Sequence, residues 1–407
     1  MKSKSFRFLW VGQLFANLGD VFYIVGLISI LYSVTESSMY LVLLPFLNML
    51  GRFISGAISP LLFKKFRLKS LLVSSQLSKT AVLLTLSFWV SLYSISGIWL
   101  IMICIFMIAF SDGWALPATD AFLPRLVEQD ELMKANSFVS VLAESIQLGG
   151  WALGGVLVAM IGGKYVIWLT FSLYVISTIL MQLVEDKTSI HSKGENLKTL
   201  DTLLEGWIKI WKNPILRSIH IMISIEALAN VVWIAAILYV FVIEILNVTE
   251  EWWGYINTAF FIGLILGGLV CSKFSFLLEK SIKITLLTTS FGVSIVTLIF
   301  GLNYMNWIAL ILVFLSGFIH QIKGITIHTY LQKITKTEDL PKIYSAQHTL
   351  VSLVFGFSTL IFGGITEYVS VQLSFIIAGL LLVGSGFYLV AVRQRFTLSN
   401  ILKGEEG

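Results

Sequence analysis

Seven ionisable side chains lie inside long apolar stretches of this 407-residue sequence: Asp20, Arg52, Lys79, Asp112, Glu144, Glu226 and Lys323. If those stretches cross a bilayer, a charge at mid-depth costs several kcal/mol unless it is paired or wetted, so each residue is a candidate for more than packing. The carboxyl groups Asp20, Asp112 and Glu144 are candidate proton carriers, because acidic side chains are what proton relays inside membranes are built from. Asp20 and Arg52 each fall about halfway along neighbouring segments joined by a short loop, and so form a candidate charge pair. Two interpretations of that pair stand side by side: a contact broken by protonation to bias one conformation, or a static interhelical salt bridge. For Glu144 the alternative to proton exchange is hydrogen-bonded packing. Lys79, nearer one end of its segment, is expected to extend its ammonium group to the interface.

Polar groups that share a helix face suggest ligand contacts. Glu226 and Asn230 are one helical turn apart, a spacing suited to a cationic or amide-bearing ligand. His320 and Lys323 likewise share a face beside Gln321, with neutralisation of a carboxylate from a facing bundle as the alternative for the lysine. Trp114 and Trp151, inside their segments, are candidates to line an apolar cavity, with core packing as the alternative. No HExxH, GxSxG or GxxxxGK[ST] pattern is present, so neither hydrolase chemistry nor an ATP site is expected. Cys104 and Cys271, both within apolar runs, are expected to behave as small hydrophobes, and no metal, disulfide or cofactor is implied.

The elements that must position these residues follow from composition. The chain is 57% hydrophobic and 13% charged, with a mean hydropathy of +0.88, which excludes an ordinary soluble domain. A spanning helix needs about 20 mostly apolar residues. That ruler predicts an all-α polytopic membrane protein with twelve segments, near 8–32, 39–63, 70–92, 97–121, 137–161, 165–184, 215–243, 253–277, 282–301, 306–330, 345–367 and 371–392. The longest charged interval divides them six and six: a bundle over 1–184, a cytoplasmic loop over 185–213, a second pseudo-symmetric bundle over 214–393 and a tail over 394–407. Within the loop, Leu200, Leu203, Leu204, Trp207, Ile208 and Trp211 recur at helical spacing beside Lys209 and Lys212, as in an interfacial helix or a linker helix packed on the bundle.

Lys and Arg fall almost wholly in alternate loops, including the cluster Lys64, Lys65, Arg67 and Lys69; on the other side only Lys164 remains. The positive-inside rule then predicts both termini in the cytoplasm. The net charge of +5 is accordingly a topology signal rather than a nucleic-acid surface. The partners expected are the lipid bilayer, protons and a small molecule; no oligomer is required.

Two stretches carry a family resemblance. FRFLWVGQLFANLGD, residues 6–20, resembles the first-helix signature of the bacterial drug-efflux branch of the major facilitator superfamily, and PATDAFLPRLVEQDELMKANS, residues 117–137, resembles that branch's junction between helices 4 and 5. In the loop after helix 2 the sequence keeps Gly56 and the basic residues but has Lys64 where the superfamily has an aspartate, and helix 5 lacks the proline of the antiporter pattern before Gly154 and Gly155. The resemblance implies two six-helix bundles, alternating access around a midplane cavity, and energy drawn from an ion gradient. It points to proton-coupled efflux of hydrophobic or amphipathic compounds at the plasma membrane. Uptake by symport and a non-transporting receptor or scaffold remain the alternatives, whereas an enzyme is not expected.

Overall fold

The computed structural model describes residues 3–35, 38–92, 97–186 and 199–396. The expected loop residues 187–198, His191 among them, and the tail from 397 onward lie outside the described residues. The described residues are helical apart from short connections, with no strand among them. The first helices are α1 (Lys4–Thr35), α2 (Ser38–Lys65), α3 (Leu68–Leu92), α4 (Ile98–Phe122), α5 (Leu132–Ile161), α6 (Gly163–Gln182) and α7 (Thr199–Lys212). There follow α8 (Pro214–Ala229), α9 (Ala235–Glu244), α10 (Glu251–Lys273), α11 (Ser275–Lys280), α12 (Ile282–Gly301), α13 (Asn306–Ile334), α14 (Leu340–Tyr368) and α15 (Val371–Val392). Among the described residues, twelve stretches are long and apolar enough to span a membrane, as the hydropathy pattern predicts.

Two expected spans differ in detail. The seventh is interrupted: α8 gives way to a 3₁₀ turn at Asn230–Trp233, and Ile234 is extended before α9 begins. Broken backbone at membrane depth is tolerated where protein covers it. Val231 and Val232 are fully buried, and the Trp233 ring lodges against Phe300 and Phe375, with centroids 4.9 and 5.3 Å away. The eighth span stops at Lys273, and the short α11 follows.

The described residues gather into two compact units. One is drawn from Met1–Glu128, Ser145–Trp207 and Thr337–Thr349, the other from Gln129–Glu144, Ile208–Lys336 and Leu350–Gly407. The division falls inside α5, α7 and α14, so the first turns of each group with a different unit from the rest of the helix. A core of the first unit includes Tyr23, Leu27, Leu83, Ile108 and Tyr174; that of the second includes Val232, Phe241, Phe300, Phe362 and Phe375.

Small residues set how closely helices meet. A side chain at Gly263 of α10 would strike the Phe314 carbonyl of α13, and one at Gly317 of α13 would strike the Phe260 carbonyl of α10. In α5, a Cβ at Gly150 or Gly154 would lie 3.3 or 3.2 Å from Val21 or Val25 of α1, whereas Gly149 and Gly155 face open space. Gly162, the single residue between α5 and α6, has φ 82°, a left-handed conformation open to glycine. Spans α5 and α14 are the least buried, with 17% of the residues in their apolar window buried against 56% for α12.

Candidate functional site

In the first unit, four of the intramembrane charges converge. Lys79 of α3 is only 2% exposed; its Nζ donates to Asp20 Oδ1 at 2.7 Å and to Asp112 Oδ1 at 2.8 Å. Arg52 of α2 donates to the other Asp112 oxygen at 3.0 Å. Two carboxylates and two cations thus balance, the condition under which charges persist in a low-dielectric interior. Tyr174 of α6 donates its hydroxyl to Asp20 at 2.5 Å, and the Lys79 ammonium also lies 4.9 Å from the centre of the Tyr174 ring.

Glycines beside both aspartates permit this convergence. A Cβ at Gly19 would come within 2.5 Å of the Tyr174 ring, so its absence lets the ring lie against α1 and its hydroxyl reach Asp20. A Cβ at Gly113 would meet the Arg52 carbonyl at 2.7 Å, so α2 and α4 close up just where Arg52 reaches Asp112. Nearby, Asn48 donates to the Tyr23 hydroxyl at 3.0 Å.

This geometry changes two expectations. Arg52 pairs with Asp112 rather than with Asp20, and Asp20 is held instead by Lys79 and Tyr174. Lys79 does not extend to an interface. Two carboxylates hold its ammonium inside the unit, which offsets the desolvation that would otherwise drive it outward. Tyr174 was not foreseen, since a tyrosine within an apolar run carries no signal of its own.

In the second unit, Lys323 of α13 pairs with Glu226 of α8, and Ser385 of α15 donates to the same carboxylate oxygen at 3.1 Å. The lysine therefore neutralises a carboxylate of its own unit, not one from a facing bundle. Asn230 sits where α8 ends, and its backbone N–H donates to the Glu226 carbonyl. His320 is exposed while Lys323 is buried, and no hydrogen bond joins the two among the described residues. Of the four expected here, Glu226 and Lys323 come into contact; Ser385 completes the group.

The remaining candidates separate by environment. Trp114 donates its indole N–H to the Leu71 carbonyl at 3.2 Å and meets Phe110 edge-on, an arrangement that braces α4 on α3. Trp151 is 45% exposed, and its indole donates to Gln147 at 3.2 Å, one turn back on α5. Glu144 lies half-buried on the same helix, with no hydrogen-bond or ion-pair partner among the described residues. Of the three candidate proton carriers, it alone is not held by a cation. No cluster of His, Cys, Asp and Glu suited to a metal ion occurs among the described residues.

The stretch 117–137 also proves to be a point of polar convergence. Asp120 pairs with His348 at 2.9 Å, Arg125 donates to the Thr337 carbonyl at 3.0 Å, and Asn136 donates to Thr329 at 2.8 Å and Gln332 at 2.7 Å.

Comparison with known proteins gives this arrangement a context. Residues 9–332 match the family model of the Major Facilitator Superfamily. The Bacillus subtilis (strain 168) protein named "Uncharacterized MFS-type transporter YfmI" is 30% identical over 390 residues, covering 95% of this chain and 96% of that protein. Macrolide efflux protein A of Streptococcus pyogenes is 20% identical over 396 residues, 93% of each chain. Among solved structures, the E. coli fucose:proton symporter FucP aligns with a TM-score of 0.75 at 13% identity, covering 95% of this chain and 97% of that one. At that identity the likeness concerns the fold alone. With twelve apolar spans and a family model matched over most of its length, the chain belongs to the Major Facilitator Superfamily and is a multi-pass membrane protein of secondary transport.

Proposed function

We propose that this transporter exports hydrophobic or amphipathic small molecules in exchange for protons, from the plasma membrane and with both termini in the cytoplasm. The observation that carries the proposal is the contrast between Glu144 and the other intramembrane acids. Asp20 and Asp112 share Lys79, and Glu226 has Lys323. A carboxylate already neutralised by a buried cation gains little from taking up a proton, whereas one without a partner is free to bind and release it. Glu144 is such a group, on one of the two least buried spans. Trp151, two turns further along α5, offers an exposed aromatic surface to an apolar substrate. The balanced groups around Lys79 and Lys323 serve as the fixed frame that each unit carries through the transport cycle. The distant likeness to Macrolide efflux protein A favours export of amphipathic compounds.

The test is proton movement across acid-loaded proteoliposomes on addition of a panel of lipophilic compounds. The native protein should release protons with at least one member of the panel, and Glu144→Gln should not. Proton release that continues undiminished in Glu144→Gln would remove the carboxyl group from this role. Silence of the native, folded protein across the panel would favour a narrow uptake symporter.

A further inference from the structure

The helix α7 carries an apolar stripe that faces away from the other described residues. Leu200, Leu204, Ile208 and Trp211 are 64%, 42%, 43% and 55% exposed, and their spacing puts them on one side of the helix. The opposite side is seated: Thr202, Gly206 and Ile210, four residues apart, are buried. A Cβ at Gly206 would strike the Lys342 carbonyl, and Glu205 accepts from the Lys342 ammonium at 2.5 Å. Asp201, Glu205, Lys209 and Lys212 follow one another along the flank between the two faces.

What covers the stripe follows from covalent geometry and charge. Only Asn213 separates the end of α7 from Pro214, the first residue of the span α8. Trp211 is therefore held beside the point where the chain enters the bilayer, the depth at which indole rings anchor. Beyond it stand the exposed Lys212 and Arg217, whose guanidinium donates to the Trp211 carbonyl at 3.4 Å. With Lys209, three cations gather at the C-terminal end of an amphipathic helix whose acidic Glu205 is already paired.

We infer that α7 is a lipid-seated strap: its stripe lies in the bilayer interface, Lys212 and Arg217 hold anionic phospholipid headgroups, and Glu205 and Gly206 tie that seating to the first turn of α14 through Lys342. Apolar burial supplies the depth and the cations supply the preference for anionic lipid. The state of the leaflet is thereby transmitted to Lys342, independently of which small molecule is carried.

The experiment uses the full chain in nanodiscs of phosphatidylcholine alone or mixed with phosphatidylglycerol, with a spin label at Leu204→Cys after Cys104→Ala and Cys271→Ala. Collision with oxygen reports lipid contact, and collision with a nickel chelate reports water. The label should be shielded from the chelate when phosphatidylglycerol is present, while a label at Asp201→Cys on the flank stays in contact with it. Lys212→Gln and Arg217→Gln should each lower the ratio of seated to unseated helix by about fivefold. These two positions are on the surface, and their substitution leaves the helix-to-α14 contact intact. Equal exposure of the Leu204 label to the chelate in both lipids would overturn the inference. So would a label buried in phosphatidylcholine alone and indifferent to both neutralisations, and so would one shielded from chelate and oxygen alike, which would assign the face to a protein.

Discussion

Lys79 sets the arrangement of charges in the first unit, and its removal has a specific signature. Lys79→Met would leave Asp20 and Asp112 without their shared cation, and a buried pair broken from one side loses about 3–5 kcal/mol. Thermal unfolding in detergent should show that loss. Glu226 and Lys323 allow a sharper comparison. Glu226→Gln or Lys323→Met alone should each destabilise by about 3 kcal/mol, while the double variant should lose less than the sum of the two. Additive losses would mean that the pair is not coupled. At this scale the sequence was legible in part. The seven intramembrane charges could be found by their positions in apolar runs, but not their partners, because hydropathy does not specify how far each helix is rotated about its axis. Arg52 meets Asp112 where Gly113 lets α2 and α4 close up, and Tyr174 reaches Asp20 past Gly19, residues whose absent side chains become informative only once the facing helices are known.

Among the helices, close approach of α10 and α13 depends on small residues in both. Gly263→Val and Gly317→Val insert methyl groups where a facing carbonyl stands, and each should cost about 3 kcal/mol by overpacking. Gly155→Ala, which meets open space, should stay within about 0.5 kcal/mol of native. Midpoints of thermal unfolding for the three variants check this ordering. Gly150 and Gly154 let α5 lie close to α1 while Gly149 and Gly155 do not, a difference of helix face rather than of composition. The break at Asn230–Trp233 was invisible for a different reason. Val231, Val232, Trp233 and Ile234 are all apolar, so a scale that measures transfer from water reads straight through a turn whose polar backbone is satisfied by protein. Asn136 illustrates a third case: the resemblance marked its position, and the structure supplies a physical role in its bonds to Thr329 and Gln332.

For the molecule as a whole, the dominant physical fact is the number of apolar stretches. Twelve spans, an all-helical fold and membership in a transporter family were legible because each needs only length, hydropathy and a few motif residues. The pairing of charges and the isolation of Glu144 were not, since both depend on contacts between segments far apart in sequence. Transport driven by protons requires at least one group that changes its protonation during the cycle, and Glu144 is the candidate proton carrier left without a cation among the described residues. The most direct measurement therefore compares two modes of transport by Glu144→Gln in proteoliposomes: substrate counterflow, which needs no net proton movement, and accumulation driven by an imposed pH gradient. In Glu144→Gln, counterflow should survive and gradient-driven accumulation should be lost. Accumulation at the native rate in this variant would contradict a proton-carrying role for Glu144.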